Sequence, residues 1–182
     1  MSSTHERGLA LRAAAGDREA FAEIIRAHQR AVFNVAYRLL GNMRDAEDAA
    51  QDAFLRAWQF LDKFDVDRPL APWLKQVTVN VCLNRIQADK PASSLDDGLP
   101  PPKDPHPGPE AQTAKRLRDE RIRRAILSLP PRYRAVIELR HFEELRYEEI
   151  AQALNRPLSD VKSNLFRARK LLAEHLKDIG DW

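Results

Sequence analysis

The chain has 182 residues, with 30 Lys and Arg against 27 Asp and Glu for a net charge of +3, and 43% of it is hydrophobic. That composition provides one or two domains with real cores and excludes a globally disordered chain. No apolar run approaches the ~20 residues needed to cross a bilayer, and Met1 to Ala15 has no uninterrupted apolar core of signal-peptide type, so a cytoplasmic protein is expected. Cys82 is the only cysteine and the five histidines are scattered, which leaves no internal disulfide, no zinc thiolate cluster, and no metal or cofactor to expect.

The N-terminal part reads as helices throughout. Asp17 is an N-cap, and Phe21, Ile24, Ile25, His28, Val32, Val35, Ala36, Leu39 and Leu40 form a long inward stripe that stops at Gly41. Asp45 is expected to cap a second helix, Asp45 to Trp58, whose Ala46, Ala49, Ala50, Ala53, Phe54, Ala57 and Trp58 make a close-packing face. On its other side Asp48, Gln51, Asp52 and Leu55 lie at i, i+3, i+4 and i+7. Leu55 among acids fits a surface for a protein partner, although spacing alone equally allows a solvated face. After Phe60, Leu61 and Phe64 comes a loop, Asp65 to Ala71, and then a helix from Pro72 to about Ile86. Trp73, Leu74, Val77 and Val81 are its core side, and Cys82 is a buried small side chain before it is a redox sensor. Gln76, Asn80 and Asn84 align on another side. Asparagine is a poor interior helix former whose amide can pair with base edges, so that row is either a base reader or ordinary polar surface.

Seven of the twelve prolines fall between Pro91 and Pro109, a composition that supports neither a core nor a continuous helix. Residues 89–110 are therefore read as a flexible linker between helical domains at 1–88 and 111–182. Extended at ~3.1 Å per residue, such a linker would reach roughly 70 Å, or about 20 base pairs. Charge is uneven across the three parts. Residues 1–88 hold 12 basic against 11 acidic side chains, the linker 2 against 5, and residues 111–182 hold 16 against 11. The basic excess lies in the last part, as attraction to phosphate requires.

In that part, Tyr147 to Leu154 is a short amphipathic helix with Ile150, Ala151 and Leu154 inward, and Asn155-Arg156-Pro157 is a turn. A second helix follows with Val161, Leu165, Ala168 and Leu172 on one apolar stripe and Lys162, Ser163, Phe166 and Arg167 on another side. This is the pattern of a helix-turn-helix, with a solvated cationic helix as the plainer alternative. The fold class expected is all-α: two small helical domains joined by a Pro-rich linker, the C-terminal one a helix-turn-helix.

The order of these pieces resembles the extracytoplasmic-function sigma factors. In the first domain the resemblance rests on Ala36 to Gly41 (AYRLLG), on DAEDAAQDAFLRAW from Asp45 to Trp58, and on Trp73-Leu74 followed by Asn80, Leu83 and Asn84. In the second it rests on LPPRYRAVIELRHFEELRYEEIAQAL from Leu129 to Leu154 and on VKSNLFRAR from Val161 to Arg169. The resemblance implies a sigma factor that binds core RNA polymerase, through its β′ and β subunits, and promoter DNA, with an anti-sigma factor as a further partner. It places Asp48, Gln51, Asp52 and Leu55 on the β′ coiled coil. Asn80 and Asn84 fall in the helix that reads the −10 element, and the loop carrying Asp65, Val66, Asp67 and Arg68 captures a base flipped out of the non-template strand. Arg140, Lys162, Ser163, Phe166 and Arg167 face the −35 element, Arg169 holds phosphate, and Ser159 caps the recognition helix.

Several positions depart from the family pattern. Ser159-Asp160 stand where Gly-Thr is frequent, Asn164 where arginine is common, Pro72 where a small hydroxyl residue is usual, and Ile86 to Lys90 replace an arginine cluster. Two other readings compete with a sigma factor. A helix-turn-helix repressor or activator acting without polymerase predicts tight duplex binding by the protein alone, and an all-helical adaptor predicts indifference to Lys162→Ala and Arg167→Ala. No glycine loop for phosphate, nucleophile with a base partner, or metal-ligand spacing supports an enzyme.

Overall fold

The computed structural model describes residues 3–88 and 114–177, so the Pro-rich linker and the C-terminal Trp182 lie outside the described residues. Among these residues there are eight α-helices and no strand. They are α1 (Ser3–Ala14), α2 (Arg18–Leu40), α3 (Met43–Phe60), α4 (Leu70–Ala88), α5 (Ala114–Leu127), α6 (Pro131–Ile137), α7 (Tyr147–Leu154) and α8 (Leu158–His175). A 3₁₀ turn, Leu61–Lys63, follows α3, and a π-helical turn, Glu138–Phe142, extends α6. Two compact units result. One holds the residues up to Tyr37 together with Met43–Cys82, and the other holds Arg38–Asn42 with the residues from Leu83 onward.

In the first unit, α1 is a helix that periodicity did not single out. It buries only Leu9, Ala10 and Ala13. The chain then reverses at Gly16, where φ is +94° and the Gly16 amide donates to the Ala13 carbonyl at 2.9 Å. Asp17 caps α2 as its sequence position implied, its Oδ1 accepting from the Glu19 and Ala20 amides at 3.0 and 3.1 Å. The Ala20 amide first, and then Arg12 at 2.6 Å, hold the Asp17 carboxyl below its ordinary value. Along α2, Phe21, Ile24, Val32, Val35, Ala36 and Leu39 are buried, and Phe21 meets Phe54 and Trp58 edge-on with ring centroids 6.5 and 4.8 Å away. Helix α3 begins at Met43, so Asp45 sits inside its first turn and is not the cap. A carboxylate there still favours the positive end of the helix dipole. Six side chains of α3, five of them alanine, are buried.

Helix α4 starts at Leu70, two residues earlier than Pro72 suggested. Pro72 is tolerated because the first-turn amides have no partner inside the helix. Its core side is Leu70, Leu74, Val79, Val81, Cys82 and Ile86, with Cys82 fully buried. Trp73 and Val77 are only half-buried, and Trp73 instead packs on Phe64 with centroids 4.8 Å apart. Buried Thr78 returns its hydroxyl to the Leu74 carbonyl at 2.8 Å, which removes the cost of an unpaired donor.

In the second unit the helices around α8 carry the core: Ile126, Leu129, Tyr133, Ala135, Val136, Ile137, Leu139 and Ile150 close over Val161, Leu165 and Ala168. Buried Arg134 donates from Nε to the Leu129 carbonyl at 2.9 Å, and burial pushes its guanidinium down to about 10. Helix α7 ends at Asn155 in the left-handed conformation, φ 49° and ψ 52°, with the Arg156 amide closing on the Ala151 carbonyl at 2.9 Å. Pro157 then fixes the chain entering α8.

His141 sits at the rim of an apolar groove lined by Ile122, Ile126, Ile137, Phe142 and Leu172. Desolvation there, and then the charges of Arg169 and Arg140, hold its pKa below the ordinary histidine value. Protonation is therefore easier in the unfolded chain than in the fold. The stability tied to neutral His141 is complete above about pH 6.5 and is lost as pH falls from there through the depressed value of the folded state. His141→Gln should accordingly flatten part of the wild-type loss of stability between pH 7 and 5, measured by urea denaturation at each pH. Leu165→Ala, which removes a side chain 1% exposed, should lower the unfolding free energy by about 2–5 kcal/mol in the same assay.

Candidate nucleic-acid and polymerase interfaces

Helix α8 separates its two jobs by angle. At about 100° per residue, the mean direction of Lys162, Ser163, Phe166 and Arg167 lies roughly 160° from that of Val161, Leu165 and Ala168. The first four are exposed and the last three are buried. Phe166 is 72% exposed, an unusual position for an aromatic ring that could have turned inward. The residues expected to face a duplex are thus brought together on one open face.

Three neighbouring positions are placed differently from a simple row. Ser159 is the second residue of α8, behind Pro157 at the cap position, and makes no side-chain cap bond; the expected Ser159 cap is corrected by this geometry. Pro157 takes that position because its fixed φ suits the turn, and Asp160 in the first turn offsets the helix dipole instead. Arg140 is half-buried in the π-helical turn, where its Nη1 donates to the Leu145 carbonyl at 3.0 Å and its guanidinium stands 5.5 Å from the Tyr147 ring. It therefore braces the entry to α7. Arg169 is exposed on the groove side, next to His141.

Tyr133 has no counterpart in the sequence reading. Burial pushes its hydroxyl up, but hydrogen bonding to Arg167 and to Arg132 outweighs burial, and the net pKa lies below the ordinary value. Arg132 Nη2 lies 3.4 Å from that hydroxyl. Tyr133 is thereby a buried phenol influenced by two arginines, one of them Arg167 of the open face. A buried phenol beside arginines is a signal visible only once α6 and α8 are packed.

In the first unit, Asp48, Gln51 and Leu55 are exposed on α3 and Asp52 is half-buried, with Leu55 62% open to solvent. The alanine seam on the other side leaves α3 no inward use for Leu55. On α4, Asn80 of the same unit is half-buried, and Asn84, which falls in the second unit, is exposed. Before α4, the loop is shaped by Asp65, whose Oδ1 accepts from the Asp67 amide at 3.1 Å and whose carbonyl accepts from the Arg68 amide at 3.0 Å. Asp65, Asp67 and Arg68 are exposed and Val66 is half-buried. No group of three or more potential ligands could hold a metal ion among the described residues. No helix among them is long and apolar enough to cross a membrane.

Residues 24–91 match the Sigma-70 region 2 family and residues 119–172 the Sigma-70, region 4 family. The chain is 35% identical over 181 residues to the ECF RNA polymerase sigma factor SigW of Bacillus subtilis, covering 90% of this chain and 92% of that one. It is 32% identical to the ECF RNA polymerase sigma factor SigE of Mycolicibacterium smegmatis, over 96% and 69% of the two chains. Among solved structures, CnrH in complex with the cytosolic domain of CnrY superposes with a TM-score of 0.65 at 26% identity, covering 97% of this chain and 99% of that one. The sigma factor RpoE of Bartonella quintana, in complex with the anti-sigma factor NepR, shares the fold with a TM-score of 0.62 at 22% identity, over 87% and 97%. A sequence that aligns with SigW over nine-tenths of both chains, and whose open faces occur where two sigma regions match, belongs to the ECF RNA polymerase sigma factors, which direct core polymerase to promoters and begin to melt them.

Proposed function

We propose that this sigma factor is a two-point promoter reader whose surfaces are divided among three partners. Residues 1–88 form the polymerase-docking and −10 domain, residues 89–110 the linker, and residues 111–182 the −35 domain. Asp48, Gln51, Asp52 and Leu55 dock on the β′ coiled coil, where Leu55 supplies apolar contact and the acids complementary charge. Asn80 and Asn84 read the −10 element, and Asp65 to Arg68 hold an unpaired base. Lys162, Ser163, Phe166 and Arg167 face the −35 element, with Ser159 and Arg140 at the edges and Arg169 on phosphate.

The observation that carries this reading is the open face of α8, with Phe166 exposed beside two cations while the opposite side is sealed. The chain performs no covalent chemistry; it adds binding free energy that favours the melted promoter over the duplex, and polymerase makes the phosphodiester bond. Working on polymerase places it in the cytoplasm. An anti-sigma factor is a fitting regulator, since the sigma factor RpoE of Bartonella quintana, which shares the fold, is seen bound to the anti-sigma factor NepR.

Transcription in vitro with purified core polymerase and a broad genomic template pool, followed by mapping of start sites, tests the proposal. Initiation at a defined promoter set is expected only with both proteins present; promoter-independent output with and without this chain would end it. Arg167→Ala and Lys162→Ala should each weaken −35-dependent initiation about tenfold or more with little change in the unfolding midpoint. A residue of this pair that contacts phosphate should lower the salt slope of holoenzyme–promoter binding by about one when removed. Leu55→Ala should weaken the affinity for core polymerase by at least about fivefold, read by titration of labelled sigma factor.

A further inference from the structure

None of the surfaces proposed above uses the apolar floor of the groove beside His141. The groove has a volume of about 390 Å³, the scale of a small-ligand pocket, and lies between α5, the π-helical turn and the last turns of α8. Its apolar lining stays wet: Phe142 is 43% exposed, Ile122 and Leu172 are half-buried, and Ala173 is open to solvent. Cations stand at the rim. Arg169 and His141 line the groove, and the charges of Arg169 and Arg140 both act on His141. A segment with acids set beside apolar side chains fits both features.

The chain itself supplies such a segment. Asp178-Ile179-Gly180-Asp181-Trp182 lies outside the described residues and carries two acids, an isoleucine and an indole, with no base among them. It leaves α8 from a fixed point, since Leu176 is 3% exposed and its amide donates to the Leu172 carbonyl at 2.9 Å. From Lys177 back along α8 to Arg169 is about 12 Å at the helical rise, and five extended residues reach about 16 Å. The whole groove side from Ala173 to Arg169 is therefore within reach, whereas Lys162 on the open face, about 22 Å away by the same rise, is not. Burial of one indole and one isoleucine is largely offset by the cost of ordering five residues. The segment is thus a weak cover that a longer apolar segment can displace.

We propose that residues 178–182 fold back over this groove in the free protein, with Trp182 resting on Phe142 and Leu172 and Asp181 facing Arg169. The groove is then an interaction surface that the chain covers for itself, and any partner that docks there must first displace the segment.

The test follows the fluorescence of Trp182 in the full chain, free of polymerase. Subtracting the emission of Trp182→Phe from that of wild type isolates this indole from Trp58 and Trp73. In folded wild type, acrylamide should quench it severalfold less than in the urea-unfolded protein. Ala173→Glu, which sets a carboxylate and added bulk on the groove at an exposed helical position, should restore quenching to the unfolded level. Full quenching in folded wild type would leave the groove to a separate partner and overturn the proposal. Protection unchanged by Ala173→Glu, at a matched unfolding midpoint, would overturn it as well. Protection that appears only as protein concentration rises would assign the groove to the same segment of a second copy, and it too ends the proposal. Should Ala173→Glu lower the midpoint, Trp182→Ala decides by uptake of anilinonaphthalene sulfonate. An uncovered groove should bind more dye than wild type, and equal uptake would refute the cover.

Discussion

The second unit depends on one constraint: α8 must bury a continuous seam on one side and leave the other open to solvent. Val161, Leu165 and Ala168 are each 1% exposed or less, and α6 and α7 pack against them. Neither of those helices is long enough to persist by itself; with seven and eight residues, they fall well short of the ~12–15 at which an isolated helix becomes even marginal in water. The seam on α8 is what holds them. Because α6 and α7 are fixed by that burial, the Asn155 turn, the π-helical turn and the Arg140 brace follow as ways to connect short elements at the required angle. The outward face is then free of structural duty. This is why an exposed Phe166 can be read as functional without further assumption.

The parts of this structure that were legible in the sequence are those where one local rule had no competitor. Asp17 caps α2 because an acid before an amphipathic run can satisfy two orphan amides, and Gly41, with φ of +84°, ends the helix as a glycine in that position should. The α7–turn–α8 pattern was legible because Ile150, Val161, Leu165 and Ala168 repeat at helical spacing over a long window. Helix α1 was not, since Leu9, Ala10 and Ala13 are too few to make a stripe, and Glu6 and Arg7 approach His28 and Asp67, residues far along the chain. The start of α8 misled for a related reason. Ser159 carries a good capping side chain, but Pro157 had already set the backbone, so the cap fell two residues earlier. Arg140 and Tyr133 were out of reach in a different way: what they do depends on a carbonyl, a ring and a guanidinium that only packing brings together.

The two reading surfaces solve an electrostatic problem in different ways. The C-terminal part carries an excess of five positive charges, modest for a DNA-binding domain, and Asp160 and Asn164 stand close to the open face of α8. Phosphate attraction alone therefore gives weak binding. Asp160 also has a structural return, since a carboxylate in the first turn steadies a helix that lacks a side-chain cap. The position that costs affinity for DNA is the one that helps the recognition helix form.

Weak individual contacts are useful to a subunit that must leave its promoter. If α8 bound duplex DNA tightly, the free protein would occupy −35-like sites without polymerase. With weak contacts, selectivity comes from joining them on one scaffold, where the second contact is made at the effective concentration set by the connection to the first. On the proposed reading, polymerase docked at the α3 face would fix both readers on the same body, so that two contacts of ordinary strength would multiply. The same logic sets the demand on the first unit. Its contact must discriminate after the strands separate, when phosphate attraction no longer distinguishes one sequence from another. Only base edges carry information there, and hydrogen-bonding side chains are the kind of chemistry that can read them.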